Sequence, residues 1–130
     1  MRENKFRATV IRHSGHTFFE IFTFDEINRG CLEMFCNANH VAFKDVIIGQ
    51  FTGSKDKNCK EIYDDDRCNV LLSTGKTVKA TVVEIDGCFE LKFDEYIIIN
   101  ERNTKRDYLK CHTCNYSVEV IGTIHDGVTE

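Results

Sequence analysis

Short runs of aromatic and β-branched residues, each closed by a turn signal, dominate this sequence and leave no room for a long amphipathic helix. Such runs at turn-punctuated spacing build small barrels or sandwiches, because each strand shows alternate side chains to one buried face. Residues 5–11 (Lys-Phe-Arg-Ala-Thr-Val-Ile) open the series, and Ser14-Gly15 turns the chain into residues 17–24, Thr-Phe-Phe-Glu-Ile-Phe-Thr-Phe. The polar stretch from Asp25 to Gly30 breaks that run, and residues 31–36 resume it as a shorter strand. Another strand spans residues 46–52 and stops at Gly53; a polar turn over 55–60 follows. Residues 68–72 and 77–85 make a hairpin about Ser73-Thr74-Gly75-Lys76. Asp86-Gly87, a strong turn dipeptide, leads into the clean alternation of Cys88-Phe89-Glu90-Leu91-Lys92-Phe93. Residues 96–99 read as a short strand, 100–106 as a polar loop, and 117–124 as the last strand. The expected class is mainly β.

Composition narrows the field. A chain of 130 residues fits one domain with a single core. A content of 42% hydrophobic and 29% charged residues excludes a disordered chain. The longest apolar run, residues 96–99, is a strand's worth, far short of the roughly 20 residues of a membrane span. The N-terminal Met-Arg-Glu-Asn-Lys-Phe-Arg has no apolar signal region, so the expected compartment is the cytoplasm. Seven cysteines would suggest a disulfide framework in a secreted domain, but the count is odd and reduced thiols are expected. Cys31, Cys36, Cys68 and Cys88 all adjoin apolar runs, where cysteine acts as a small hydrophobe. Seventeen basic against 21 acidic side chains give a net charge of −4. Residues 51–100, with 7 basic and 10 acidic groups, hold most of the imbalance. Generic phosphate binding wants a basic excess, so this balance argues against it.

Three stretches carry a resemblance. Met1-Arg2-Glu3-Asn4-Lys5-Phe6-Arg7-Ala8 resembles the opening M-R-E-I-K-F-R-A of the YopX proteins of bacterial phages and prophages. Gly49-Gln50-Phe51-Thr52-Gly53-Ser54-Lys55-Asp56-Lys57-Asn58-Cys59-Lys60-Glu61-Ile62-Tyr63 is similar to that family's Q-[FY]-T-G-L-K-D-K-N-G-K-E-I-Y, the most specific motif of the three. Ser117-Val118-Glu119-Val120-Ile121-Gly122-Thr123-Ile124 resembles its Y-E-V-I-G-N-I, and residues 82–89 also fit. The resemblance covers essentially the whole of residues 1–130 as a single domain. It implies an SH3-like β-barrel over residues 46–125, with an N-terminal β segment (residues 1–45) packed on it as additional strands. It implies no catalytic residues, and it places the protein in a bacterial host cell. Two departures matter. Cys59 stands where the family has the glycine of an Asn-Gly turn, and Asp64-Asp65-Asp66 replaces its E-G-D. Aspartate tolerates the left-handed region and cysteine does not, so the 58–59 turn is expected to be strained or rearranged, at about 1 kcal/mol.

Several clusters are chemically suggestive. Cys111-His112-Thr113-Cys114 has the CxxC spacing of half a zinc site, but no second CxxC supplies the other two ligands. A redox reading of Cys111 and Cys114 needs a helix start after a strand, which the surrounding pattern lacks. His13 and His16 flank a turn without the helix and glutamate of a zincin site. Asp64-Asp65-Asp66 lacks the spacing of a calcium loop and reads as a solvated turn. Arg102, Lys105, Arg106 and Lys110, with Tyr108 among them, form the one basic cluster, on the expected loop 102–110. No triad, phosphate-binding glycine loop or paired-carboxylate signature is present, so an enzyme is not expected and no cofactor is implied. The expected role is a non-catalytic protein-binding module, with self-association favoured by ten phenylalanines and four tyrosines in so small a chain. The alternatives are a nucleic-acid-binding barrel using the loop 102–110 and a zinc domain using Cys111 and Cys114.

Overall fold

The computed structural model describes residues 4–12, 14, 16–99, 101–113 and 117–124. In chain order its elements are β1 (Lys5–Ile11), β2 (Thr17–Thr23), α1 (Phe24–Asn28), α2 (Cys31–Ala38), β3 (Ile47–Lys55), β4 (Glu61–Tyr63), β5 (Asp66–Leu71), β6 (Thr77–Ile85), β7 (Cys88–Ile99), β8 (Arg102–Tyr108), α3 (Leu109–Thr113) and β9 (Val118–Thr123). The fold is mainly β, with antiparallel pairing. Described residues up to Phe51 form one compact unit and Thr52–Ile124 a second, the division falling inside β3.

In the first unit β1 pairs with β2, Lys5 facing Thr23 and Ile11 facing Thr17, and with β3, Phe6 facing Gln50. Ala8, Val10 and Phe22 pack against Leu32, Phe35 and Cys36 of α2. The Phe35 ring meets Phe22 edge-on at 5.6 Å and Phe18 at 6.1 Å. Residues 31–36, expected as a strand, are thus helical. Leu32, Phe35 and Cys36 are buried while Glu33, Met34 and Asn37 are exposed, a spacing of three and four that fits a helix and not a strand. The stretch expected as a break after residue 24 is also helical. Thr23 caps α1 by accepting from the Glu26 N–H at 3.1 Å, and Glu26 returns the bond to the Thr23 N–H at 2.9 Å. Gly30, at φ +84°, turns the chain between the two helices.

In the second unit a five-stranded sheet runs in the order β8-β7-β6-β5-β9. It curls into a half-barrel, compatible with the SH3-like barrel that the resemblance implies. Both expected hairpins are present, with Val70 opposite Val78 in one and Ile85 opposite Cys88 in the other. Asp86 and Gly87 both have positive φ, 50° and 83°, as a two-residue hairpin turn requires. Ile62, Cys68, Val70, Val78, Ala80, Val82, Leu91, Phe93, Ile97, Leu109 and Val118 form the core. Cys36 and Cys68 are buried as small hydrophobes, whereas Cys88 is exposed. Gly53 does not stop β3, which continues to Lys55 with Gly53 at φ +86°. The expected loop 100–106 is largely strand. β7 runs on to Ile99, and β8 pairs with it on both sides of an irregularity between Lys92 and Ile97. An edge strand leaves most of its side chains in water, so β8 carries no apolar alternation to reveal it.

The turn between β3 and β4 is built around Asp56, which is 6% exposed. Its Oδ1 accepts the N–H groups of Asn58 and Lys60, both at 2.9 Å, and its Oδ2 accepts the Val120 N–H of β9 at 2.9 Å. The Lys57 N–H donates to the Val118 carbonyl at 2.9 Å, so the hairpin covers the side of β9 that the sheet leaves open. Cys59 sits at φ +66°, the left-handed geometry that the missing glycine would have taken without strain. Asp65 sits at φ +70°, which lets its N–H reach the Val82 carbonyl and its own carbonyl accept from Ile124. The Asp64-Asp65-Asp66 segment is not a solvated turn, because Asp66 is fully buried and accepts the Tyr63 N–H at 2.8 Å.

Two stability predictions follow from this turn. Cys59→Gly should stabilise the protein by up to about 0.5 kcal/mol in urea unfolding, the relief of left-handed strain less the entropy glycine adds to the unfolded chain. Asp56→Ala, which strands three N–H donors, should cost at least about 2 kcal/mol in the same measurement.

Candidate functional site

β8 carries Arg102, Lys105, Arg106 and Tyr108, all exposed, and Lys110 follows on α3, also exposed. The structure separates these residues rather than aligning them. Arg102 and Arg106 line one hollow of about 210 Å³ together with Ile99, Thr104 and Asp107. Lys105 is turned elsewhere, its Nζ 5.0 Å from the centre of the Tyr96 ring. Arg106 Nε lies 3.7 Å from Glu90 Oε1, too long for a strong ion pair, and Arg102 has no ion pair among the described residues.

A larger hollow of about 550 Å³ adjoins the first, since Ile99 and Asp107 line both. Leu71, Leu72 and Ile99 give it an apolar floor, and Ser73, Ser117, Cys111 and His112 give it a polar wall. Sequence reasoning raised Cys111 and His112 only as a zinc or redox motif and missed Leu71, Leu72, Ser73, Ile99 and Ser117, which lie far apart in the chain and meet only once β5, β7 and α3 are placed. His112 is fixed here by three contacts. Its Nε2 lies 2.8 Å from Asp107 Oδ2, its ring meets Phe93 edge-on at 5.9 Å, and its carbonyl accepts the Ser117 hydroxyl at 2.8 Å. The other Asp107 oxygen accepts the Tyr108 N–H at 2.9 Å.

The edge of β8 is closed to strand addition at two points. The Arg106 N–H donates to Thr104 Oγ1 at 3.1 Å, and the Tyr108 N–H is taken by Asp107. Charged side chains and such local bonds are how edges avoid pairing. The outward face of the β7–β8 ribbon is different. On either side of buried Ile97, Tyr96 is 69% and Ile98 72% exposed, and Tyr108 of β8 is 57% exposed.

Cys111 is exposed on α3, and Cys114 lies outside the described residues. The strand-then-helix context whose absence counted against a redox reading is in fact present, β8 running directly into α3, although that helix has only five residues. His13 also lies outside the described residues, and His16 stacks on Phe18 at 5.9 Å. Among the described residues no three His, Cys, Asp or Glu side chains are grouped to hold a metal ion. Burial pushes the Cys68 thiol up to about 12, with the charges of Asp66 and Asp56 adding to the effect, so it stays protonated at neutral pH.

Arg67 makes a two-pronged pair with Asp94, at 2.7 and 2.6 Å, and also donates to Thr81 Oγ1. The hydrogen bonds from Arg67, helped by its charge, hold the Asp94 carboxyl below the usual carboxylate range. A carboxyl whose folded pKa lies below its unfolded value stabilises the fold above the unfolded value and loses that contribution as pH falls through the folded one. Asp94→Asn should therefore cost up to about 1 kcal/mol at pH 7, since the carboxylate is half exposed. The difference from wild type should vanish in acid unfolding series below the folded pKa of Asp94.

Comparison with known families gives one assignment. The family model described as YopX protein matches residues 5–128, nearly the whole chain, and the chain belongs to that family. No curated protein matches the chain. No helix among the described residues is long and apolar enough to cross a membrane.

Proposed function

For this member of the YopX family we propose a non-catalytic protein-binding role, in a phage- or prophage-encoded chain that works in the cytoplasm of its bacterial host. The observation that carries this reading is the exposure of Tyr96 and Ile98 on β7 and of Tyr108 on its neighbour β8. Tyrosine and arginine dominate the energetics of protein interfaces, because large side chains of few rotamers or planar charge give much contact for little lost freedom. Large exposed apolar side chains on one ribbon favour association over a bare monomer, so the partner is a second copy of the chain or another protein of the host or phage. The divergence of Lys105 from Arg102 and Arg106 weighs against nucleic acid, which binds most strongly along a continuous row of cations.

The test compares tagged wild type with the variant carrying Tyr96→Ser, Ile98→Ser and Tyr108→Ser. Both are used to capture protein from host lysate, and the captured complexes are weighed by native mass spectrometry at several concentrations. Wild type should form a stoichiometric complex, with itself or a partner, and the variant should lose at least about tenfold in affinity for it. A variant that keeps the complex, or a wild type that carries only nucleic acid, would contradict the reading.

A further inference from the structure

We propose that the two adjoining hollows of the second unit bind a short acidic peptide segment, an apolar side chain entering the larger hollow and a carboxylate meeting Arg102 and Arg106 at the smaller. The proposal rests on the protein-binding reading and names the chemistry of the partner. The larger hollow, about 550 Å³, is of a size that takes a small ligand or a pair of side chains. Its floor of Leu71, Leu72 and Ile99 asks for an apolar group, and Leu71 is half exposed at the end of β5. The smaller hollow asks for a negative charge. Arg102 has no ion pair among the described residues and Arg106 only a long one to Glu90. Asp107, which lies between the hollows, does not cancel them by direct bonds, since one oxygen faces His112 and the other accepts the Tyr108 N–H. A guanidinium pair left open in this way is suited to a planar carboxylate.

The shared walls decide the length of the occupant. Ile99 and Asp107 line both hollows, so one segment a few residues long can fill them together. A nucleic-acid strand fits less well. Among the described residues it would find only two cations lining the hollows, with Lys105 turned onto Tyr96 and Lys110 lining neither. Few neutralised phosphates release few counterions, which leaves little driving force.

The test is an NMR titration of the whole, isotope-labelled chain with three probes. One is an eight-residue amidated peptide with two central leucines flanked by glutamates, one the same peptide with lysines, and one an eight-nucleotide oligo-dT. The glutamate peptide should shift the signals of Leu71, Leu72, Ile99, Arg102 and Arg106 saturably, and the lysine peptide should not. Arg102→Glu with Arg106→Glu, both exposed and safe for folding, should weaken the glutamate peptide by at least about tenfold. Shifts absent from these residues, equal binding of the lysine peptide, or tighter binding of oligo-dT at the two arginines would each overturn the proposal. If that happens while the complex still depends on Tyr96, Ile98 and Tyr108, only the peptide site is lost and the protein-binding reading stands.

Discussion

The buried carboxylate of Asp56 organises the second unit. Burying the charge of Asp56 is tolerable because three backbone N–H groups, from Asn58, Lys60 and Val120, converge on it. Two of those bonds shape the hairpin turn, and the third ties that turn to β9, the last strand of the sheet. The rest of the cleft depends on this anchorage. With β9 held, Val118 enters the core, and Ser117 just before it donates to the His112 carbonyl while its own carbonyl accepts the Leu71 N–H. Those two bonds place α3 beside the end of β5, and Leu109 of α3 completes the core beneath. The strained Cys59 belongs to the same arrangement. The turn keeps its left-handed geometry without a glycine because the Asp56 carboxylate holds the N–H groups on either side of it.

The fold was legible wherever burial follows period two. The β5–β6 and β6–β7 hairpins stand where Gly75 and Asp86-Gly87 put them, and the positive φ at Cys59 and Asp65 followed from the glycines that the family motif has there. The reading failed where local pattern and period conflicted. Leu32, Phe35 and Cys36 lie within a short run that passes for a strand, and only their three-and-four spacing marks α2. Thr23 and Glu26 are a capping box legible in the residues themselves, so α1 was a signal overlooked rather than a signal absent. β8 was hidden for a different reason. As an edge strand rich in charge it has no apolar face, and only its pairing with β7 defines it.

The candidate site was half visible. The sequence pointed to Arg102, Lys105, Arg106, Tyr108 and Lys110 as one cluster, because neighbours in a loop are neighbours in space. A strand separates them, turning Lys105 onto Tyr96 and leaving Arg102 and Arg106 around one hollow. Leu71, Leu72, Ile99 and His112 complete the surroundings from three other elements, a juxtaposition that no local pattern encodes. What emerges is a ribbon with exposed tyrosines and an apolar hollow with guanidinium groups at its neighbour, the features on which the proposed protein recognition rests.

The most direct test of that account is amide hydrogen exchange, measured on the chain alone and on the chain bound to the protein it retains. The account predicts new protection over residues 96–108 and at the end of β5, with the exchange of α2 unchanged. Protection confined to α2 or to β1 and β2, with residues 96–108 exchanging as in the free chain, would contradict it.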